Sequence, residues 1–153
     1  MASFREAATT DAESILVLQR AFYAEEGYPF FEREAREVLT RLLGDPSLGR
    51  VWVATHDSAV VAYVVLTLSY SLEYRGRDAF IDELYVARPH RGRGLGSHAL
   101  RIVQDACMEQ GVCVLHLEVE RNKAAALAWY HRSGFADRNR YLLTKDLSPR
   151  QEG

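Results

Sequence analysis

No surplus of positive charge runs through this chain: 19 Lys and Arg stand against 21 Asp and Glu, a formal net charge of -2. That argues against nucleic acid as the main partner, because phosphate backbones are bound through a clear excess of Lys and Arg. Cysteine is scarce. Cys107 and Cys113 fall on different predicted elements and form no CxxC pair, so neither a disulfide framework nor a metal knuckle is expected, and both read as buried free thiols. The five histidines, His56, His90, His98, His116 and His131, lack the HxxxH or HxH spacing that brings two imidazoles to one metal, so no metal is expected. The longest apolar stretch, Ala59 to Leu66, falls far short of a bilayer span, and Met1 to Glu13 lacks the basic and then apolar regions of a signal peptide. A cytoplasmic protein with no membrane partner is the expectation.

What is present is ordinary globular composition, 48% hydrophobic and 26% charged over 153 residues, without repeat, low-complexity tract or Pro/Gly-rich linker. One domain over residues 1–153 is expected. Ser3 to Ala7 can form a short first strand. Thr10 and Glu13 have capping-box spacing, and Ile15, Leu18 and Phe22 recur at helical intervals, predicting a helix over 11–25 that Gly27 and Pro29 break. Ala35, Val38, Leu39 and Leu42 predict a second helix, closed by Gly44. Arg50 to Thr55 and Ala59 to Ser71 read as a hairpin whose second strand is apolar enough to be covered on both faces. Phe80 to Val86 is a further strand. Leu95, Ala99, Ile102, Val103 and Ala106 mark a third helix, Val112 to Val119 a strand, and Ala124 to Arg132 a fourth helix ended by Gly134. Phe135 and Tyr141 to Lys145 would supply terminal strands. The order is that of a mixed α/β domain.

Between the strand ending at Val86 and the helix starting at Leu95 lies Arg91-Gly92-Arg93-Gly94-Leu95-Gly96. Glycines at alternate positions of a strand-to-helix turn let a ligand approach the backbone, and the N–H groups with the helix dipole suit a phosphate or pyrophosphate. Arg88, Arg91 and Arg93 add charge around it. Asp82-Glu83-Leu84-Tyr85-Val86 followed by this turn resembles the R/Q-x-x-G-x-G/A motif of the GNAT superfamily of N-acetyltransferases. Leu117-Glu118-Val119, Ala125, Tyr130, Gly134 and Phe135 are similar to that family's second conserved segment. The match spans about Phe80 to Phe135.

The resemblance implies a central mixed sheet flanked by four helices, with two parallel strands splayed apart to admit acetyl-CoA. Backbone groups of Leu84, Tyr85 and Val86 would pair with the pantetheine arm, and Arg91, Gly92, Arg93, Gly94, Leu95, Gly96 and Ser97 would hold the pyrophosphate. The family's pantetheine-binding Asn falls at Lys123 in this chain, with Asn122 one residue earlier. Tyr130 takes the place of the family's acid, which protonates the departing thiolate.

Acetyl transfer to an amine also needs a base, without metal or covalent intermediate. Asp82, Glu83 and Glu118 are the candidates. Glu118 alternates with Leu117 and Val119 on an apolar strand, where burial would raise its pKa, and stands twelve residues before Tyr130, as in acetyltransferases of protein N-termini. Asp82 and Glu83 stand where polyamine acetyltransferases carry an acidic pair, and neighbouring strand residues face opposite ways. Trp129 reads as core, and so does Cys107, despite His98 on the same helix. The loop Glu25-Glu26-Gly27-Tyr28-Pro29-Phe30-Phe31 would border the acceptor, with Glu25, Glu26 and Tyr28 as binding residues and Glu73 and Asp78 adding negative charge nearby. Acids and aromatics there favour a small cationic amine, with a peptide N-terminus as the alternative. Two further readings are a small-molecule methyltransferase, from the glycine turn, and a non-enzymatic acetyl-CoA-binding module. The apolar strand from Ala59 to Leu72 and the terminal strand suggest a homodimer.

Overall fold

A computed structural model describes residues 2–149. The described chain divides after Glu118 into two units. In the first, β1 (Ser3–Glu6), α1 (Ala12–Glu26), α2 (Glu32–Gly44), β2 (Gly49–His56), β3 (Ala59–Ser71), β4 (Gly76–Val86), α3 (Leu95–Glu109) and β5 (Val114–His116) follow in order. The strands form one five-stranded sheet in sequence order, antiparallel throughout except for the parallel pair β4 and β5.

β3 is buried on both faces, as its apolar run requires. One face sets Val51, Val53, Tyr63, Val65 and Tyr85 against Ile15, Leu16 and Leu18 of α1 and Leu39 of α2. The other face packs Ala54, Val61 and Ala62 against Leu95 of α3. Flanked by β2 and β4, β3 is an interior strand and has no edge to share with a second copy.

Several boundaries depart from the sequence reading. The capping box expected from Thr10 and Glu13 is replaced by Asp11. Its carboxylate accepts the Ala8 N–H at 2.8 Å and two Arg5 N–H bonds at 2.8 Å, while Glu13 pairs with Arg36 of α2. β4 begins at Gly76 rather than Phe80, although Arg77 and Asp78 look like loop residues. Asp78 is buried because it accepts the Ser69 hydroxyl at 2.6 Å and lies 3.0 Å from His116 Nε2, so one carboxylate ties β3, β4 and β5 together. β5 is only Val114–His116 rather than Val112 to Val119, because its ladder with β4 ends at the pair Phe80 and His116, and Leu117 and Glu118 have no strand partner among the described residues. Cys107 is buried in α3, but Cys113 is exposed at the entry to β5, where Val112 takes the buried position instead.

The second unit contains α4 (Ala124–Arg132), closed by Gly134 as expected. Trp129 is half-exposed, tilted against Tyr130 at 4.8 Å, and so does not belong to a core. The terminal strands expected at Phe135 and Tyr141 to Lys145 do not form among the described residues, since those backbones make no ladder bonds, and Tyr141, Leu142 and Leu143 are exposed. No described helix is long and apolar enough to cross a membrane.

Candidate active site

The central feature of the first unit is a break in β4. Val65 pairs with Glu83 and Leu66 with Ile81, which leaves Asp82 as an extra, unpaired residue. Such a bulge bends the strand and re-aims the side chains beside it. Beyond Phe80, the edge of β4 away from β3 has no strand partner among the described residues. The two parallel strands therefore separate at the point where the sequence reading wanted a gap, and Leu84, Tyr85 and Val86 lie along the open edge.

Glu83 turns toward the face that carries α1. Its carboxylate accepts Tyr23 OH at 2.5 Å, Tyr63 OH at 2.7 Å, and Gln19 Nε2 at 3.2 and 3.3 Å to its two oxygens. Burial pushes the Glu83 carboxyl above its ordinary pKa; the Tyr23 and Tyr63 hydroxyls pull it back in part, and the charge of Asp82 adds to the rise. Asp82 itself is exposed, and so is Glu118, contrary to the burial its alternation suggested. Desolvation raises the Asp82 carboxyl above its ordinary pKa as well, exposed though its surface is, but of the three acids Glu83 alone is held by side-chain hydrogen bonds among the described residues. Its partners escaped the sequence reading, yet Gln19 and Tyr23 are polar groups four apart on an apolar helix, and Tyr63 interrupts the Val60 to Leu66 run. Those interruptions were the available signal.

The acceptor loop is arranged differently from expectation. Glu25 accepts Arg91 Nη2 at 2.7 Å, Arg88 Nη2 at 3.3 Å and Tyr85 OH at 2.9 Å, and these partners, Arg91 first, hold its carboxyl below its ordinary pKa. It is a counter-ion to the arginines rather than free negative charge for an acceptor, and Asp78 is likewise committed to His116 and Ser69. Tyr28 and Phe30 meet the Tyr23 ring edge-on at 5.9 and 5.6 Å, so the loop aromatics do gather around a phenol bonded to Glu83. Glu26 is the last residue of α1.

In the glycine turn, Gly92 and Gly94 have φ of 76° and 81°, a left-handed conformation that a side chain resists. Gly94 caps α3, whose first turn receives no side-chain hydrogen bond, so the N–H groups of Leu95, Gly96 and Ser97 face outward uncapped. This arrangement fits a pyrophosphate. Arg93 is exposed beside it, whereas Arg91 is engaged with Glu25 and donates Nε to Val86 O at 2.9 Å. Among the described residues no cluster of His, Cys, Asp or Glu could hold a metal ion.

In the second unit, Asn122 is exposed in the turn closed by Lys123 N–H to Glu120 O at 3.0 Å. Tyr130 is half-buried near the end of α4, its ring edge-on to Phe135 at 5.8 Å, and burial raises its phenol pKa.

The acetyltransferase (GNAT) family profile matches residues 13–135. The chain belongs to that family. The membership removes the methyltransferase alternative. Thialysine N-epsilon-acetyltransferase of Bos taurus is 31% identical over 78 residues, 51% of this chain and 45% of that protein. The chain thus spans about half the length of the curated relatives it matches. An integron cassette protein from the mobile metagenome of Cole Harbour Salt Marsh aligns over 96% of this chain and 91% of its own, at 35% identity and a TM-score of 0.86. A protein from Clostridium acetobutylicum, described as a predicted acetyltransferase and solved with acetyl-CoA, aligns over 95% of this chain and 96% of its own with a TM-score of 0.82. At 18% identity that likeness speaks for the fold alone.

Proposed function

We propose that this chain transfers an acetyl group from acetyl-CoA to a small cationic primary amine by direct attack, with Glu83 as general base and Tyr130 as general acid. The observation that carries the reading is the half-buried, hydrogen-bonded Glu83 carboxylate at the β4 bulge, beside a strand edge unpaired among the described residues and upstream of an uncapped helix N-terminus. The coenzyme supplies an activated acyl group, a thioester. The open edge at Leu84 to Val86 and the turn from Arg91 to Ser97 are the residues that would hold it. Glu83, with its raised pKa, is suited to be the final acceptor of the proton that the amine must lose. Tyr130, held protonated by the rise in its own pKa, is suited to return a proton to the departing thiolate.

The acceptor preference rests on fewer acids than the loop sequence suggested. Glu83 and Asp82, with the rings of Tyr23, Tyr28 and Phe30, supply the negative charge and aromatic faces that attract a cation. A relative named for acetylating a lysine analogue points the same way. Release of coenzyme A thiol with polyamines, amino acids, aminoglycosides, arylamines and short peptides tests it. The expected result is fastest release with a cationic small amine; preference for a neutral or anionic acceptor would refute this substrate class and leave acetyl transfer standing. A homodimer belongs to the same proposal, through the outer edge of β5, which among the described residues pairs only with β4.

The coenzyme site has its own test. Gly94→Val puts a β-branched residue into a left-handed conformation, at a cost of about 1–2 kcal/mol. A Cβ there meets no neighbour, so the damage comes from the backbone twisting out of its anion-binding shape rather than from a clash. Acetyl-CoA is expected to raise the melting temperature of the native protein and not of this variant. An equal shift in both would contradict the assignment of the turn.

A further inference from the structure

The hydrogen bonds around Glu83 leave no obvious place for an amine. A carboxylate offers about four lone-pair sites. Here Tyr63 and Gln19 face Oε1, and Tyr23 and Gln19 face Oε2. Among the described residues these three are its hydrogen-bond partners, and a proton that reaches Glu83 through the protein comes by one of them. Tyr63 is fully buried at 0% exposure, so no acceptor reaches its hydroxyl. Gln19 can donate, but a carboxamide does not pass a proton on at neutral pH. Tyr23 is half-exposed, makes the shortest bond to the carboxylate at 2.5 Å, and is the ring that Tyr28 and Phe30 of the acceptor loop surround.

We propose that the Tyr23 hydroxyl is a catalytic proton relay between the acceptor amine and Glu83. This rests on Glu83 being the base, as proposed above. As the amine nitrogen bonds to the thioester carbonyl carbon, an N–H proton passes to the Tyr23 oxygen while the Tyr23 O–H proton passes to Glu83 Oε2. The phenol ends neutral, as it began, and Glu83 ends protonated. The C–S bond then breaks with its electron pair on sulfur, and the thiolate is protonated by the acid. The two transfers occur together, since burial and the neighbouring carboxylate raise the Tyr23 pKa and disfavour a free phenolate. Gln19 Nε2 lies 3.4 Å from the Tyr23 oxygen as well as near both Glu83 oxygens, and the buried Oε1 of the same side chain has no hydrogen-bond partner among the described residues. The amide thus holds the two proton carriers in register. The other ionisable groups acting on this site are Tyr63 from β3, which donates to Oε1, and Asp82 from β4, whose charge adds to the rise in pKa at both Tyr23 and Glu83.

The test is Tyr23→Phe, which keeps the ring and removes the oxygen. Expected are a fall in kcat on the order of 10²-fold, unchanged acetyl-CoA affinity, and a proton inventory that changes from bowed, two protons in flight, to linear. Glu83 should titrate at higher pH in the variant, read by a carbon-13 label on its carboxyl without any turnover, because a hydrogen bond to the carboxylate has been lost. Tyr63→Phe removes the other phenol from the same carboxylate and is expected to keep the bowed inventory. Fluorotyrosine at position 23 preserves the fold and should change kcat with phenol acidity. Full kcat in Tyr23→Phe, or an unmoved Glu83 titration, would overturn the relay. Full activity in Glu83→Gln would instead overturn the base assignment beneath it, so the two failures are distinguishable.

Discussion

Replacing Glu83 by Gln is expected to lower kcat/KM by about 10²–10⁴-fold and to erase the acid limb of its pH profile. In the native protein the base must be ionised, so activity should fall as pH drops through the Glu83 pKa, which burial has raised above the ordinary carboxylate range. With Gln there is nothing left to titrate. The same shift has a sign for stability. A carboxyl whose folded pKa is raised contributes stability that is fully present below its unfolded pKa and lost as pH rises through the folded one. At neutral pH, then, an ionised Glu83 is a cost to the fold, and Glu83→Gln should melt no lower than the native protein there. A variant that lost activity together with several degrees of melting temperature would point to a structural carboxylate instead. Thermal melts and pH-rate profiles on the same preparation decide it.

Tyr130→Phe should lower kcat by about 10²-fold while leaving the acetyl-CoA dissociation constant nearly unchanged. The hydroxyl matters only as charge develops on the leaving sulfur, and an interaction made in the transition state alone appears in kcat rather than in ground-state binding. Because burial raises the phenol's pKa, it stays protonated across the range where the enzyme works and can act as a donor throughout. Calorimetry against acetyl-CoA alongside single-turnover rates separates the two quantities. Full turnover with binding intact would show that the acid is another group or water.

Helices and the glycine turn were legible in the sequence because their signals are local: Ile15, Leu18 and Phe22 at helical spacing, Gly27 and Gly134 at helix ends, Gly92 and Gly94 where left-handed backbone is needed. Elements that depend on a distant partner were not. β4 extends back through Arg77 and Asp78 only because Ser69 and His116 satisfy the buried carboxylate, and β5 stops at His116 because β4 bends away. Alternation put Asp82 and Glu83 on opposite faces, and the bulge that makes Glu83 the buried one has no marker such as glycine. Glu25 looked like an acceptor ligand because its loop is acidic in sequence. In three dimensions it answers Arg88 and Arg91, residues more than sixty positions away.

Acetyl transfer to an amine is measured most directly by following both products of one reaction, coenzyme A thiol and N-acetylated amine, with acetyl-CoA and a small diamine as substrates. Equal amounts of the two are expected from the native protein, and loss of both from Glu83→Gln with the fold intact. Thiol release without acetylated amine, or equal product from Glu83→Gln, would contradict acetyl transfer with Glu83 as its base.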